Sequence, residues 1–195
     1  MGYKLLKSAF YKQPTLNLAQ SLLGHILIKE TNKGIAAGVI VETEAYIGPD
    51  DRAAHSFGNR RTKRTEIMFG EPGYAYVYEM HTHSLVNVVS GEVEKPEAVL
   101  IRAVEPVEGI NLMYERRGLN KKETDLTNGP GKLTKALGIT KEDYGHPLFR
   151  KPLYIVEGEA PIDISKGPRI GIQNSGEARD YPWRFWITGN RFVSR

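Results

Sequence analysis

Strand-like and helix-like stretches follow one another along this chain without regular alternation. A doubly wound parallel sheet requires strand and helix to alternate, so the pattern selects a mixed α+β architecture instead. The expectation is one domain over 1–195 with a curved, mainly antiparallel sheet, surrounding helices and a protruding β-hairpin. A chain of 195 residues is one domain's worth of sequence at roughly 150 residues per domain.

Residues 26–30, the turn Thr31-Asn32-Lys33-Gly34 and residues 35–46 read as a hairpin with a long second arm. Strict alternation along that arm puts Val39, Val41, Thr43 and Ala45 on one face and Ile40, Glu42, Glu44 and Tyr46 on the other. Further strands are expected over 74–78, 85–89, 98–104, 153–157, 169–172 and 184–188. The first two of these lie close enough to form a hairpin tipped by Met80-His81-Thr82-His83. Helices are expected from a Thr15 cap to Gly24, over 108–116, and over 132–137 after Asn128-Gly129-Pro130-Gly131. Residues 50–73 read as one long polar loop, a length usually tied to function in a compact domain.

Composition removes whole classes of chemistry. There is no cysteine, which excludes disulfides, iron–sulfur clusters, thiolate zinc sites and cysteine nucleophiles. No cofactor is expected. The longest strongly apolar stretch, 35–41, is far below the roughly 18 residues of a bilayer span, so no membrane partner is expected. The opening Met1-Gly2-Tyr3-Lys4-Leu5-Leu6 has no signal-peptide core and lacks the acylation pattern, so an intracellular, non-secreted location is expected. Lysine and arginine number 27 against 23 acidic residues, a net charge of +4. The cations cluster in three runs: Arg52, Arg60, Arg61, Lys63 and Arg64; Arg116, Arg117, Lys121, Lys122, Lys132 and Lys135; and Arg169, Arg179, Arg184, Arg191 and Arg195. Such runs fit either a solvated surface or a polyanionic partner.

Four patterns could carry chemistry. Glu42 and Glu44 at the end of a mostly apolar arm are costly to bury unless bonded or used, and either an ion-paired pair or a general base fits them. Tyr74, Tyr76 and Tyr78 alternate on one strand, as a core face or as a stacking platform for bases. His81 and His83 could join His55 or Glu44 around a metal, but no third ligand stands at local spacing and no metal is expected. Gly129-Pro130-Gly131-Lys132 looks like a phosphate loop. It lacks the first glycine, where Leu126 stands, and Leu133 replaces the Ser or Thr after the lysine. Nucleotide hydrolysis is thereby excluded, while a helix start that meets a DNA phosphate is not.

In order along the chain stand Val41-Glu42-Thr43-Glu44-Ala45-Tyr46, Ala53-Ala54-His55-Ser56, Tyr76-Val77-Tyr78, Asn87-Val88, Leu100-Ile101-Arg102-Ala103, Asn128-Gly129-Pro130-Gly131-Lys132-Leu133, Arg169-Ile170-Gly171-Ile172 and Arg184-Phe185. The series resembles the alkyladenine (3-methyladenine) DNA glycosylase family, also called methylpurine DNA glycosylases, from about residue 15 onward. The resemblance implies hydrolysis of the N-glycosidic bond of alkylated or deaminated purines in double-stranded DNA, by a protein acting as a monomer. The target nucleotide would be flipped out of the stack. By position, Glu44 would activate water, with Arg102 and the main-chain carbonyl of Ile172 holding it. Tyr46 would stack on one face of the base, His55 and Tyr78 on the other, with Tyr76 in the pocket wall and Asn87 against normal guanine.

The sequence departs from the family pattern at the hairpin tip, which is one residue shorter than in many relatives. The family's tyrosine wedge is replaced by His81, with Met80 beside it. Arg60, Arg61, Lys63 and Lys132 are the expected phosphate contacts. Three other classes compete: a catalytically silent module that binds damaged DNA, a lyase using Lys132 as a Schiff base, and a histidine-based metallohydrolase.

Overall fold

The long arm forms the axis of the fold. The structure is a computed structural model that describes residues 4–194. Arg195 and Met1-Gly2-Tyr3, both used in the sequence reading, lie outside the described residues. After β1 (Ile26–Thr31), β2 runs through fourteen residues, Gly34–Ile47. The sheet continues with β3 (Ala75–Met80), β4 (His83–Ser90), β5 (Glu97–Glu108), β6 (Phe149–Arg150), β7 (Leu153–Val156), β8 (Ile164–Gly167) and β9 (Arg184–Ile187). Its order is β3-β4-β5-β2-β1-β7-β6, with β9 against β2 and β8 against β9, and every pairing is antiparallel. The sheet curls into a half-barrel, and with the helices α1 (Thr15–Ser21), α2 (Ile110–Arg117) and α3 (Pro130–Leu137) it makes one mixed α+β domain.

The strict alternation expected of β2 does not survive. Ile40 faces Val104, Glu42 faces Ala103 and Thr43 faces Ile101, so the register shifts twice within four residues. Ile40 and Ala45 both join the large core, and Thr43 donates to the Ala19 carbonyl of α1 at 2.7 Å. Val41 turns the other way, onto Ala103 and Phe192. A bulge resets a period of two by one residue. Here it turns Glu42 and Glu44 away from the α1 core, at the place where β2 exchanges β1 for β9 as its neighbour.

Other expectations need correction. Thr15 does not cap α1: Pro14 occupies that position, and the Thr15 hydroxyl bonds Ser90 and the Glu97 carboxylate across the core. Residues 169–172 form no strand. Arg169 is drawn into a buried ion pair, and Gly171 takes φ +82, outside extended backbone. The loop after β2 contains two short 3-10 turns, Phe57–Asn59 and Glu66–Phe69, and the β6 and β8 strands were not anticipated. The β3–β4 hairpin forms as expected, closed by His81 and Thr82 at φ +47 and +70. Two left-handed residues suit the right-handed twist of a two-residue hairpin turn.

Candidate active site

A cavity of about 320 Å³ opens between the end of β2, the β3–β4 hairpin and the 170–175 loop. That volume falls at the small end of ligand clefts, about 300–1,000 Å³. Its walls include Tyr46, His55, Tyr76, Tyr78, Asn87 and Arg102, which the sequence had singled out from segments up to 56 positions apart. Met80, Pro130 and Ile172 also line it.

Glu44 does not line the cavity; it lies directly beneath. It is fully buried, and its carboxylate is held by three residues that do form the wall. The Ile170 N–H donates to Oε1 at 2.7 Å, the Tyr46 hydroxyl to Oε2 at 2.8 Å, and Arg102 Nη1 to Oε2 at 3.3 Å. Glu42, the neighbour on the same face, is equally buried and binds Arg102, Arg184 and Ser194. Of the two uses foreseen for the glutamates, ion pairing therefore applies to both. Burial works against the charge on Arg102, but Glu44 and Glu42 offset it and hold the guanidinium above its ordinary value.

The aromatic wall is uncharged at neutral pH. His55 Nδ1 lies 2.7 Å from the Tyr76 hydroxyl, and its ring is edge-on to Tyr78 at 4.6 Å between centroids. Burial first, then the charges of Arg64 and Arg60, push His55 down to about 4. Burial pushes Tyr78 up to about 12 and also raises Tyr76. Tyr46 rises well above its usual value through burial and then the Glu44 carboxylate, so its hydroxyl stays a donor. Of the uses foreseen for the tyrosine stripe, the core face applies to Tyr76, which clusters with Met68, Val89 and Ala98 and also lines the cavity.

A methylpurine-DNA glycosylase family model matches residues 9–191. The chain belongs to that family. It is a DNA glycosylase, a DNA-repair enzyme whose substrate is DNA. Relatives include proteins provisionally named 3-methyladenine DNA glycosylase. The one from Bacillus licheniformis is 68% identical, covering 100% of this chain and 98% of its own length. That from Bacillus subtilis is 64% identical over 97% of this chain and 96% of its own, and that from Bacillus velezensis 62% over 98% and 97%.

The remaining site residues of this glycosylase are placed unevenly. Met80 reaches the cavity mouth, whereas His81 sits exposed on the hairpin turn. Among the expected phosphate contacts, Arg61 is already engaged: it pairs with Glu66 at 2.8 Å and Glu94 at 2.9 Å and lies over Phe69. Lys132 Nζ donates to Asn128 Oδ1 at 2.7 Å, away from the cavity. The glycine before it has a packing reason, because a Cβ on Gly131 would stand 2.8 Å from the His83 Cβ. Arg60 and Lys63 are exposed. Arg169 and Arg184, counted among the surface cations, are instead paired inward with Asp51 and Glu42. Among the described residues no group of three His, Asp or Glu could hold a metal.

Sequence reasoning missed the Gln173-Asn174-Ser175 stretch of the cavity wall and Arg64, whose guanidinium lies 5.9 Å from the Tyr78 centroid. The basic run contained Arg64, but nothing in the spacing marked it above its neighbours.

Proposed function

We propose that this glycosylase removes 3-methyladenine and related alkylated purines from duplex DNA by drawing the damaged nucleotide into the 320 Å³ cavity. The observation that carries this reading is the buried Glu44, whose three donors all come from residues of the cavity wall. Glu44 accepts a proton from water as the water oxygen attacks C1′ of the deoxyribose. The C1′–N bond breaks, and its electron pair leaves with the purine. An alkylated purine is cationic and so departs as a neutral base. Arg102 and the carbonyl of Ile172, both at the cavity, orient the water.

The uncharged aromatic part of the wall favours such a base. A cation gains from the face of an aromatic ring, and an uncharged His55 imposes no like-charge repulsion on it. Tyr46 stacks on one side, His55 and Tyr78 on the other, and Asn87 crowds the edge of normal guanine. His81 and Met80 fill the gap in the stack, while Arg60, Lys63 and Lys132 meet the backbone.

The competing reading is a silent damage-binding module. Glu44→Gln separates the two, with 3-methyladenine release from methylated duplex as readout. Loss of general-base action lowers the rate by about 10²–10⁴-fold while lesion binding persists. Base release at the wild-type rate would remove Glu44 from the chemistry.

A further inference from the structure

Among the described residues Arg102 is the only charged side chain lining the cavity, and each of its three nitrogens has a different partner. Nη1 faces Glu44 at 3.3 Å, Nε donates to Glu42 Oε1 at 3.1 Å, and Nη2 donates to the Ser194 hydroxyl at 3.2 Å. Ser194 then closes the ring: its hydroxyl donates to Glu42 Oε1 at 2.8 Å and its N–H to Glu42 Oε2 at 2.7 Å. Arg184 Nη1 adds a fourth donor to Glu42 at 3.2 Å. Glu42, like Glu44, is fully buried and lines no cavity, but all three donors to Glu44 belong to the cavity wall and only Arg102 among those of Glu42 does, which sets Glu42 one layer further back.

A carboxylate set behind the cavity wall needs another role, since burying a charge is costly before pairing. The geometry supplies one. With Nε and Nη2 occupied, Arg102 can offer Glu44 only one nitrogen. Freed from Glu42 and Ser194, the guanidinium fork would engage both Glu44 oxygens side-on, the preferred geometry of an arginine–carboxylate pair. Such a clamp competes for the oxygen that must take a proton from water. We infer that Glu42 and Ser194 are positioning residues. They anchor Arg102 from behind and so keep the Glu44 carboxylate available. Ser194 reaches this place because Phe192, fully buried against Val41 and Ala103, fixes the C-terminal segment to the bulged face of β2.

The inference rests on the reading of Glu44 as the base, and the test separates the two. Single-turnover base release from dimethyl-sulfate-treated duplex is measured alongside Kd for a duplex carrying a tetrahydrofuran abasic analogue. Ser194→Ala is expected to slow release about tenfold, the scale of one hydrogen bond to a charged group, at unchanged Kd. Ser194→Thr, which keeps the hydroxyl, is expected to restore the rate, and Glu42→Gln to lose more than Ser194→Ala. Wild-type release by Ser194→Ala, or a loss matched by Kd and not rescued by Thr, overturns the positioning role. If Glu44→Gln is inactive while Ser194→Ala is unaffected, only this inference fails. If Glu44→Gln itself releases base normally, the reading beneath it fails.

Discussion

The guanidinium of Arg169 lies over the ring of Tyr46, its carbon 4.7 Å from the ring centroid, and 5.0 Å from that of Trp183. The same guanidinium forms a two-pronged pair with Asp51 at 2.5 and 2.8 Å and donates to the carbonyls of Ala45 and Ala178. One buried side chain thereby ties the end of β2, the loop after it and the 176–180 turn together beside the Tyr46 ring. Replacing Arg169 by Leu strands a buried carboxylate, which costs about 3–5 kcal/mol. Urea unfolding measures this, and adding Asp51→Asn should recover part of the loss. A single-variant cost below about 1 kcal/mol, the scale of an exposed pair, would deny the pair its structural role.

The wedge proposed at the hairpin tip predicts an effect on duplex substrate alone. His81 stands exposed at a two-residue turn with Met80 behind it at the cavity mouth. His81→Ala should slow base release from duplex, where a gap must be filled, and leave single-stranded substrate almost unchanged. Equal loss on both substrates rejects the wedge.

Stability should fall in mild acid. His55 is held at about 4, below its ordinary value of 6.5, so the folded protein resists a proton that the unfolded chain accepts. Its contribution is complete above pH 6.5 and is lost as pH falls towards 4. The full span amounts to about 3 kcal/mol at 1.36 kcal/mol per unit. His25, lowered by burial and accepting from the Gly158 N–H at 3.1 Å, acts in the same direction. Urea midpoints at pH 7 and pH 4.5 should differ less for His55→Gln than for the wild type; an identical drop would exclude His55 as a source.

Gly131 tests the contact between hairpin and helix. An added methyl meets the His83 Cβ, which belongs to the strand and cannot rotate away. Gly131→Ala should destabilise by about 1–3 kcal/mol, as overpacking does, and thermal melting reads the effect directly.

Salt titration distinguishes engaged from available cations. Each lost phosphate contact lowers the slope of log K against log salt by about 1. Arg60→Ala or Lys63→Ala should reduce the slope. Arg61→Ala should not, because Glu66 and Glu94 already neutralise that guanidinium.

Much of the fold is local enough to read from the chain. The β1–β2 and β3–β4 hairpins, α2, α3, β5 and β7 follow from turn residues and periodicity acting over a few positions. Thr15 shows the limit: its type and place fit a helix cap, yet its hydroxyl serves Ser90 and Glu97, more than seventy residues away. Residues 169–172 show it again, because a long-range ion pair and a left-handed glycine override an apolar strand-like run.

Spacing and residue type marked Glu44 and the tyrosines of 74–78, each with two possible uses, while Arg102, Asn87 and the roles of Tyr46 and His55 came from the family resemblance. That Glu42 and Glu44 turn away from the α1 core was decided by the bulge in β2. A one-residue register shift reverses the facing of every residue after it, and it arises from pairing with β5 and β9 rather than from β2 itself. Likewise, whether a cation meets solvent or a buried carboxylate depends on partners distant in sequence: Arg61, Arg169 and Arg184 resemble Arg60 and Arg64 in the chain, and only packing separates them.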